Sequence, residues 1–136
     1  ATDENLRLPI IHHPAYSGGF VSPGVSGVAD YLQLGLLPRI FGADMPIFVS
    51  YGGRFTFTEE QCKRISSYIK QPLGLMKAAC PAPGGGVTDA RLNELVELYG
   101  NDTMFLVGGD MFRRGSDIEA NMSYFVERLT KLSERT

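Results

Sequence analysis

Four short apolar runs punctuate the chain, each followed by glycines and then by residues at helical spacing. The runs are Leu8-Pro9-Ile10-Ile11-His12-His13, Met45-Pro46-Ile47-Phe48-Val49-Ser50, Leu75-Met76-Lys77-Ala78-Ala79-Cys80 and Thr103-Met104-Phe105-Leu106-Val107. They lack the strict apolar–polar alternation of a half-exposed strand, which predicts strands buried on both faces. Behind them come Gly18-Gly19, Gly52-Gly53, Gly84-Gly85-Gly86 and Gly108-Gly109. The helical stripes that follow are Val28, Tyr31, Leu32, Leu36, Leu37, Ile40 and Phe41; then Cys62, Ile65, Tyr68 and Ile69. The last two are Leu92, Leu95, Val96 and Tyr99, and Ile118, Met122, Phe125, Leu129 and Leu132.

Local signals fix the ends of these elements. Pro14 closes the first strand, because proline cannot donate to a ladder. The first helix is predicted to begin near Ser26, to kink or split at Pro38 and to end at Gly42. Thr58-Glu59-Glu60-Gln61 has the spacing of a capping box, and so does Ser116-Asp117-Ile118-Glu119. Lys70-Gln71-Pro72 ends the second helix, two prolines (Pro81 and Pro83) end the third strand, and Ala1–Leu6 form a polar lead-in.

Strand and helix in alternation mean a parallel sheet covered by helices, with right-handed crossovers. The expected fold class is therefore α/β. A complete eight-fold barrel takes about 250 residues, so four units in 136 residues are half of one. A small doubly wound sheet has about five strands, and no fifth is evident here. A bare four-stranded sheet would leave two open edges. The reading is a single domain, residues 1–136, forming half of a TIM (β/α)8 barrel, its edges covered by another copy or by a missing half.

Composition narrows the function classes. Hydrophobic content of 43% with 21% charged residues is that of an ordinary soluble domain. The net charge of −2, with basic residues no denser than Arg113-Arg114, argues against nucleic acid as a partner. No apolar run is long enough to span a bilayer, and no signal peptide is recognisable. Cys62 and Cys80 lack metal-ligand spacing and read as buried, reduced thiols of a cytoplasmic protein. The first residue is alanine, which fits a processed chain or a portion of a longer one.

Candidate chemistry gathers where strands end, since parallel sheets bind ligands at their C-terminal edge. Gly84, Gly85 and Gly86 and the pair Gly108-Gly109 end adjacent strands and can turn several backbone N–H groups toward one phosphate-sized anion. Gly18-Gly19 and Gly52-Gly53 read more simply as tight turns. His13, at a strand end, suits proton transfer or an oxyanion near pH 7, while His12 faces the helix layer. Arg54 either clamps an anionic substrate or is solvated. Lys77 lies within the third predicted strand and points into the barrel or snorkels at its edge.

The order of motifs carries a resemblance. His13-Pro14-Ala15-Tyr16-Ser17-Gly18-Gly19, Gly42-Ala43-Asp44 and Tyr51-Gly52-Gly53-Arg54-Phe55 are similar to segments of RuBisCO-like proteins, homologues of the RuBisCO large chain. So are Pro81-Ala82-Pro83-Gly84-Gly85-Gly86, Tyr99-Gly100-Asn101-Asp102 and Val107-Gly108-Gly109. The resemblance runs from about Leu8 to Leu129 and implies strands five to eight of that family's barrel. It implies that His13 faces substrate and that Gly85-Gly86 and Gly108-Gly109 hold one phosphate of a phosphorylated sugar or sugar acid.

The resembled family works by enolisation-type chemistry, with magnesium held by a carbamylated lysine, an aspartate and a glutamate. No such trio can be matched here, so Mg2+ is implied for a full-length parent and not for this chain. Pro14 stands where carboxylases carry an arginine, and Tyr51-Gly52-Gly53-Arg54 lacks the catalytic lysine, which argues against a bisphosphate substrate and against CO2 fixation. Asp110 replaces a third glycine; its carboxylate must turn away from a bound phosphate or weaken the site. The expected function is the phosphate-binding half of an isomerase, enolase or decarboxylase. The alternative is a catalytically inert half-barrel that pairs with itself and at most binds phosphate.

Overall fold

The computed structural model describes residues 8–21 and 27–134. The polar lead-in and the expected helix start at Ser26 lie outside the described residues. Three parallel strands form one sheet in the order β1 (Ile11–His12), β2 (Met45–Val49), β3 (Ala82–Gly84). Ile11 pairs with Met45, and Ile47, Phe48 and Val49 pair with Ala82, Pro83 and Gly84. The α/β class and parallel topology hold, with three strands among the described residues where four were expected.

The third strand is displaced from its predicted place. Leu75 is fully exposed, and Leu73 and Met76 close a tight antiparallel turn through reciprocal backbone bonds of 3.2 and 2.9 Å. Of the two prolines read as a stop, Pro83 sits in β3 itself and Pro81 immediately precedes it. Lys77 is therefore outside any strand and exposed; its carbonyl accepts from the Arg39 guanidinium at 3.0 Å.

The same prolines explain the fourth run, which meets β3 only through a parallel bridge between Leu106 and Gly84. Met104 N–H donates to the Pro81 carbonyl at 2.9 Å and Leu106 N–H to the Pro83 carbonyl at 3.0 Å. In a parallel ladder the return bond comes from the residue two positions on, so Pro83 has no N–H to give the Met104 carbonyl, while Gly85 N–H faces that of Leu106 and the bridge forms only there. The run lies alongside β3 with half a ladder.

Side chains alternate across the sheet as strand geometry requires. Pro46, Phe48 and Ser50 are buried beneath the helices, whereas Ile11 on the opposite face is 53% exposed. Phe48 is the centre of the core, with Ile65 and Ile69 of α3 (Glu59–Lys70), Leu92 and Leu95 of α4 (Leu92–Tyr99), and Phe125 of α6 (Ile118–Ser133). The remaining helices are short: α1 (Gly18–Val21), α2 (Leu37–Ile40) and α5 (Gly109–Arg113). None of the helices among the described residues is long and apolar enough to cross a membrane.

Pro38 splits its helix as expected, with a π-helical segment over Tyr31–Leu36 running into α2. Proline costs little in the first turn, where its N–H would be unsatisfied anyway. The wider π-turn shifts the buried face to Leu34, Gly35, Pro38 and Arg39, and leaves Ile40 and Phe41 exposed. The Thr58 capping box forms, with Gln61 N–H on the threonine hydroxyl at 3.2 Å and Thr58 N–H on the glutamine carbonyl at 2.9 Å. The second box does not form as predicted: Asp117, not Ser116, caps α6, accepting from Ala120 N–H at 3.0 Å. The helix begins one residue later than the Ser116 register requires. Along α6, Phe125 and Leu132 are buried, while Ile118 and Met122 stay exposed.

Candidate functional site

Three glycine loops leave the same edge of the sheet: Gly52-Gly53 after β2, Gly85-Gly86 after β3, and Gly108-Gly109 after the fourth run. The first two touch backbone to backbone. A Cβ on Gly86, whose φ is +80°, would lie 2.8 Å from Gly53 N, and one on Gly53 would lie 3.0 Å from Gly86 N. No side chain fits between these loops. The N–H groups of Gly52, Gly86, Val87 and Gly108 enter no hydrogen bond among the described residues, while that of Gly85 faces the Leu106 carbonyl across the bridge to the fourth run. Gly84 is different, since it belongs to β3 and its carbonyl accepts from Ser50 N–H at 2.8 Å.

Arg91, in the short 3₁₀ turn Asp89–Arg91 that leads into α4, reaches under both loops. Its Nη1 donates to the Tyr51 carbonyl at 2.7 Å and to the Gly86 carbonyl at 3.1 Å, and its Nη2 meets Glu94 Oε1 at 2.8 Å. The guanidinium stacks 4.5 Å from the centre of the Tyr51 ring, and the Tyr51 hydroxyl donates to Glu94. Burial first, then the Glu94 carboxylate, push the Tyr51 phenol up to about 12. The bond from Arg91, followed by that from Tyr51, holds the Glu94 carboxyl below its ordinary value.

Asp110 turns its carboxylate to the start of the same turn. Its Oδ2 accepts from Asp89 N–H at 2.8 Å, and its Oδ1 pairs with Arg113 at 3.1 Å. Asp89 in turn accepts from the Tyr124 hydroxyl at 2.8 Å and from Arg128 Nε at 3.2 Å, with Arg114 Nη1 3.9 Å away. The tyrosine bond leads the causes that hold the Asp89 carboxyl below its ordinary value. Both carboxylates beside the Gly108-Gly109 loop are thus engaged by cations or N–H donors.

His13 lies just past β1, exposed, on the same face as Ile11. His12 turns the other way; its Nδ1 is buried without a partner, and burial, aided by the neighbouring His13, lowers its pKa. Arg54 is exposed and stacks 4.9 Å over Phe55. Cys62 is buried with its thiol on the Val49 carbonyl at 3.3 Å; Cys80 is partly buried, and both thiols are pushed up by burial. Among the described residues no group of three or more His, Cys, Asp or Glu side chains could hold a metal ion. The described residues do not fit the magnesium site that the resemblance implies for the parent.

No protein-family model matches the chain. Individual relatives do. It is 34% identical over 118 residues to a ribulose bisphosphate carboxylase-like protein of Rhodopseudomonas palustris, a match covering 87% of this chain and 30% of that one. It is 31% identical over 112 residues to 5-methylthioribulose-1-phosphate isomerase of Rhodospirillum rubrum, covering 82% and 30%. It is 29% identical over 129 residues to 2,3-diketo-5-methylthiopentyl-1-phosphate enolase of Exiguobacterium sibiricum, covering 95% and 32%. Solved structures agree: a RuBisCO-like protein of Alicyclobacillus acidocaldarius superposes with a TM-score of 0.88 at 27% identity, covering 98% of this chain and 34% of that chain. The chain belongs to the RuBisCO-like protein superfamily. It spans about 30% of the length of the relatives it matches.

In this RuBisCO-like chain, the sequence reading missed Arg91, Tyr51 and Glu94. Arg91 sits in a polar turn, and no motif marks it. The one available signal was the pairing of Arg91 with Glu94 three residues on, a spacing that places both on one side of a helix.

Proposed function

We propose that this chain is the C-terminal half of a (β/α)8 barrel, strands five to eight, in a RuBisCO-like enzyme. Its part would be to seat the phosphate of a phosphorylated sugar or sugar acid undergoing enolisation or isomerisation. The observation that carries the reading is the group of glycine loops at one sheet edge, with the N–H groups of Gly86, Val87 and Gly108 unpaired among the described residues. Such clusters favour anions through oriented amide dipoles. Two of the relatives above are named for 1-phosphate substrates, an isomerase and an enolase.

The proposed site comprises Gly85, Gly86, Gly108 and Gly109 on the phosphate, with Gly84 as the strand residue that aims them. His13 would be the acid–base or oxyanion group, and Arg54 a clamp on anionic substrate. Magnesium chemistry would fall to residues outside this chain. Asp110 supports the assignment, because its carboxylate is already committed to Asp89 N–H and Arg113.

Calorimetric titration with inorganic phosphate tests the reading. Saturable binding by the native chain is expected, with affinity reduced at least about tenfold in Gly86→Ala, a loss of about 1.4 kcal/mol. Absence of saturable binding to the native chain would refute it. A second reading, an inert half-barrel that pairs with its own copy, is favoured by the half-exposed Ile11 on the uncovered sheet face.

A further inference from the structure

We infer that Arg91 is the positioning residue of the anion nest: one guanidinium fixes the peptide planes of two glycine loops. The inference rests on the phosphate reading proposed above and deepens it. Both hydrogens of Nη1 are spent on carbonyls, those of Tyr51 and Gly86, which belong to different loops. A trans peptide is planar, so its N–H lies antiparallel to its C=O. Holding the Tyr51 carbonyl therefore sets the direction of Gly52 N–H, and holding the Gly86 carbonyl sets that of Val87 N–H. Both N–H groups point away from the guanidinium, and neither has a partner among the described residues.

The arginine is itself fixed on its other sides. Nη2 pairs with Glu94, the ring of Tyr51 lies against its face, and the Tyr51 hydroxyl ties Glu94 back to the same cluster. The glycines leave room for it. A Cβ on Gly52, with φ at +73°, would lie 2.6 Å from Nη1, and one on Gly86 would lie 3.3 Å from it. Two loops that must be glycine where they approach each other lack side chains to hold their own shape. Arg91 supplies that restraint from below, leaving the upper, ligand-facing side free. A planar fork serving three acceptors is a task for which lysine is a poor replacement.

The test compares native chain, Arg91→Met and Arg91→Lys by phosphate titration and by 15N relaxation of the glycine-loop amides. The native loops are expected to be rigid at Gly52, Gly53, Gly85 and Gly86. In both variants the heteronuclear NOEs at these positions should drop, and phosphate affinity should fall about tenfold or more. Rigid loops and native affinity in Arg91→Met, or full rescue by Arg91→Lys, would overturn the inference. Where Arg91→Met does not fold, Gly52→Ala displaces the guanidinium from the surface loop and should reproduce both losses; native behaviour there would overturn it equally. A native chain that ignores phosphate sinks the phosphate reading, and the loop relaxation then decides the clamp by itself.

Discussion

Single residues set the stability of the fold at the edge where β2 meets the helices. Phe48 is fully buried and packs edge-on to Tyr99, with ring centres 5.7 Å apart. Tyr99 also shares a buried hydrogen bond of 3.1 Å with Ser50, which keeps its hydroxyl satisfied inside the core. Phe48→Ala should destabilise by about 3–5 kcal/mol, measured by urea unfolding. His12 gives a pH dependence of known sign. Burial lowers its pKa below 6.5, so the folded state resists protonation. Its contribution is complete above about pH 6.5 and is lost as pH falls through the folded value. His12→Asn should flatten the fall in stability between about pH 7 and 5; an unchanged slope would assign the acid sensitivity elsewhere.

At the scale of elements, helix ends and proline positions explain where sequence and structure part. The Thr58 box forms at the spacing the sequence marks, with Gln61 three residues on. The Ser116–Glu119 box was not, because Asp117 offers a second cap one residue on, and it is the one used. Asp117→Ala should cost about 1 kcal/mol while Ser116→Ala costs a few tenths at most, compared by thermal unfolding. The third strand was misplaced because prolines were read as stops; Pro83 lies within β3 and Pro81 just before it, and their carbonyls accept from Leu106 and Met104. Pro83→Val restores a donor facing Met104, and the new amide at position 83 should exchange slowly with solvent. Fast exchange there would mean that something other than the missing donor limits the fourth strand. The π-helical register of Tyr31–Leu36 had no sequence signal beyond Pro38, which is why Ile40 and Phe41 were assigned to the buried stripe and stand exposed.

For the molecule as a whole, the alternation of strand, glycine and helix was enough to predict a parallel α/β sheet with glycine loops gathered at one edge. The edge glycines were visible in sequence; what joins them was not, because Arg91 acts across forty residues on the Tyr51 carbonyl. The helix-covered face carries the core, and the other face leaves Ile11 half exposed beside His13. In the proposed barrel that face is the interior and requires a partner. Light scattering of the isolated chain should therefore give a mass above that of a monomer, and Ile11→Lys should return it to monomer. A native chain that is monomeric at high concentration would contradict the self-pairing account.

The central claim is that the glycine loops at the sheet edge seat a phosphate. Mapping 15N–1H amide shifts during titration with inorganic phosphate tests it most directly. Saturable shifts confined to Gly52, Gly85, Gly86, Val87, Gly108 and Gly109 and their immediate neighbours are predicted, with Gly18 and Gly19 unmoved. Shifts centred elsewhere, or none at saturating phosphate, would contradict the account.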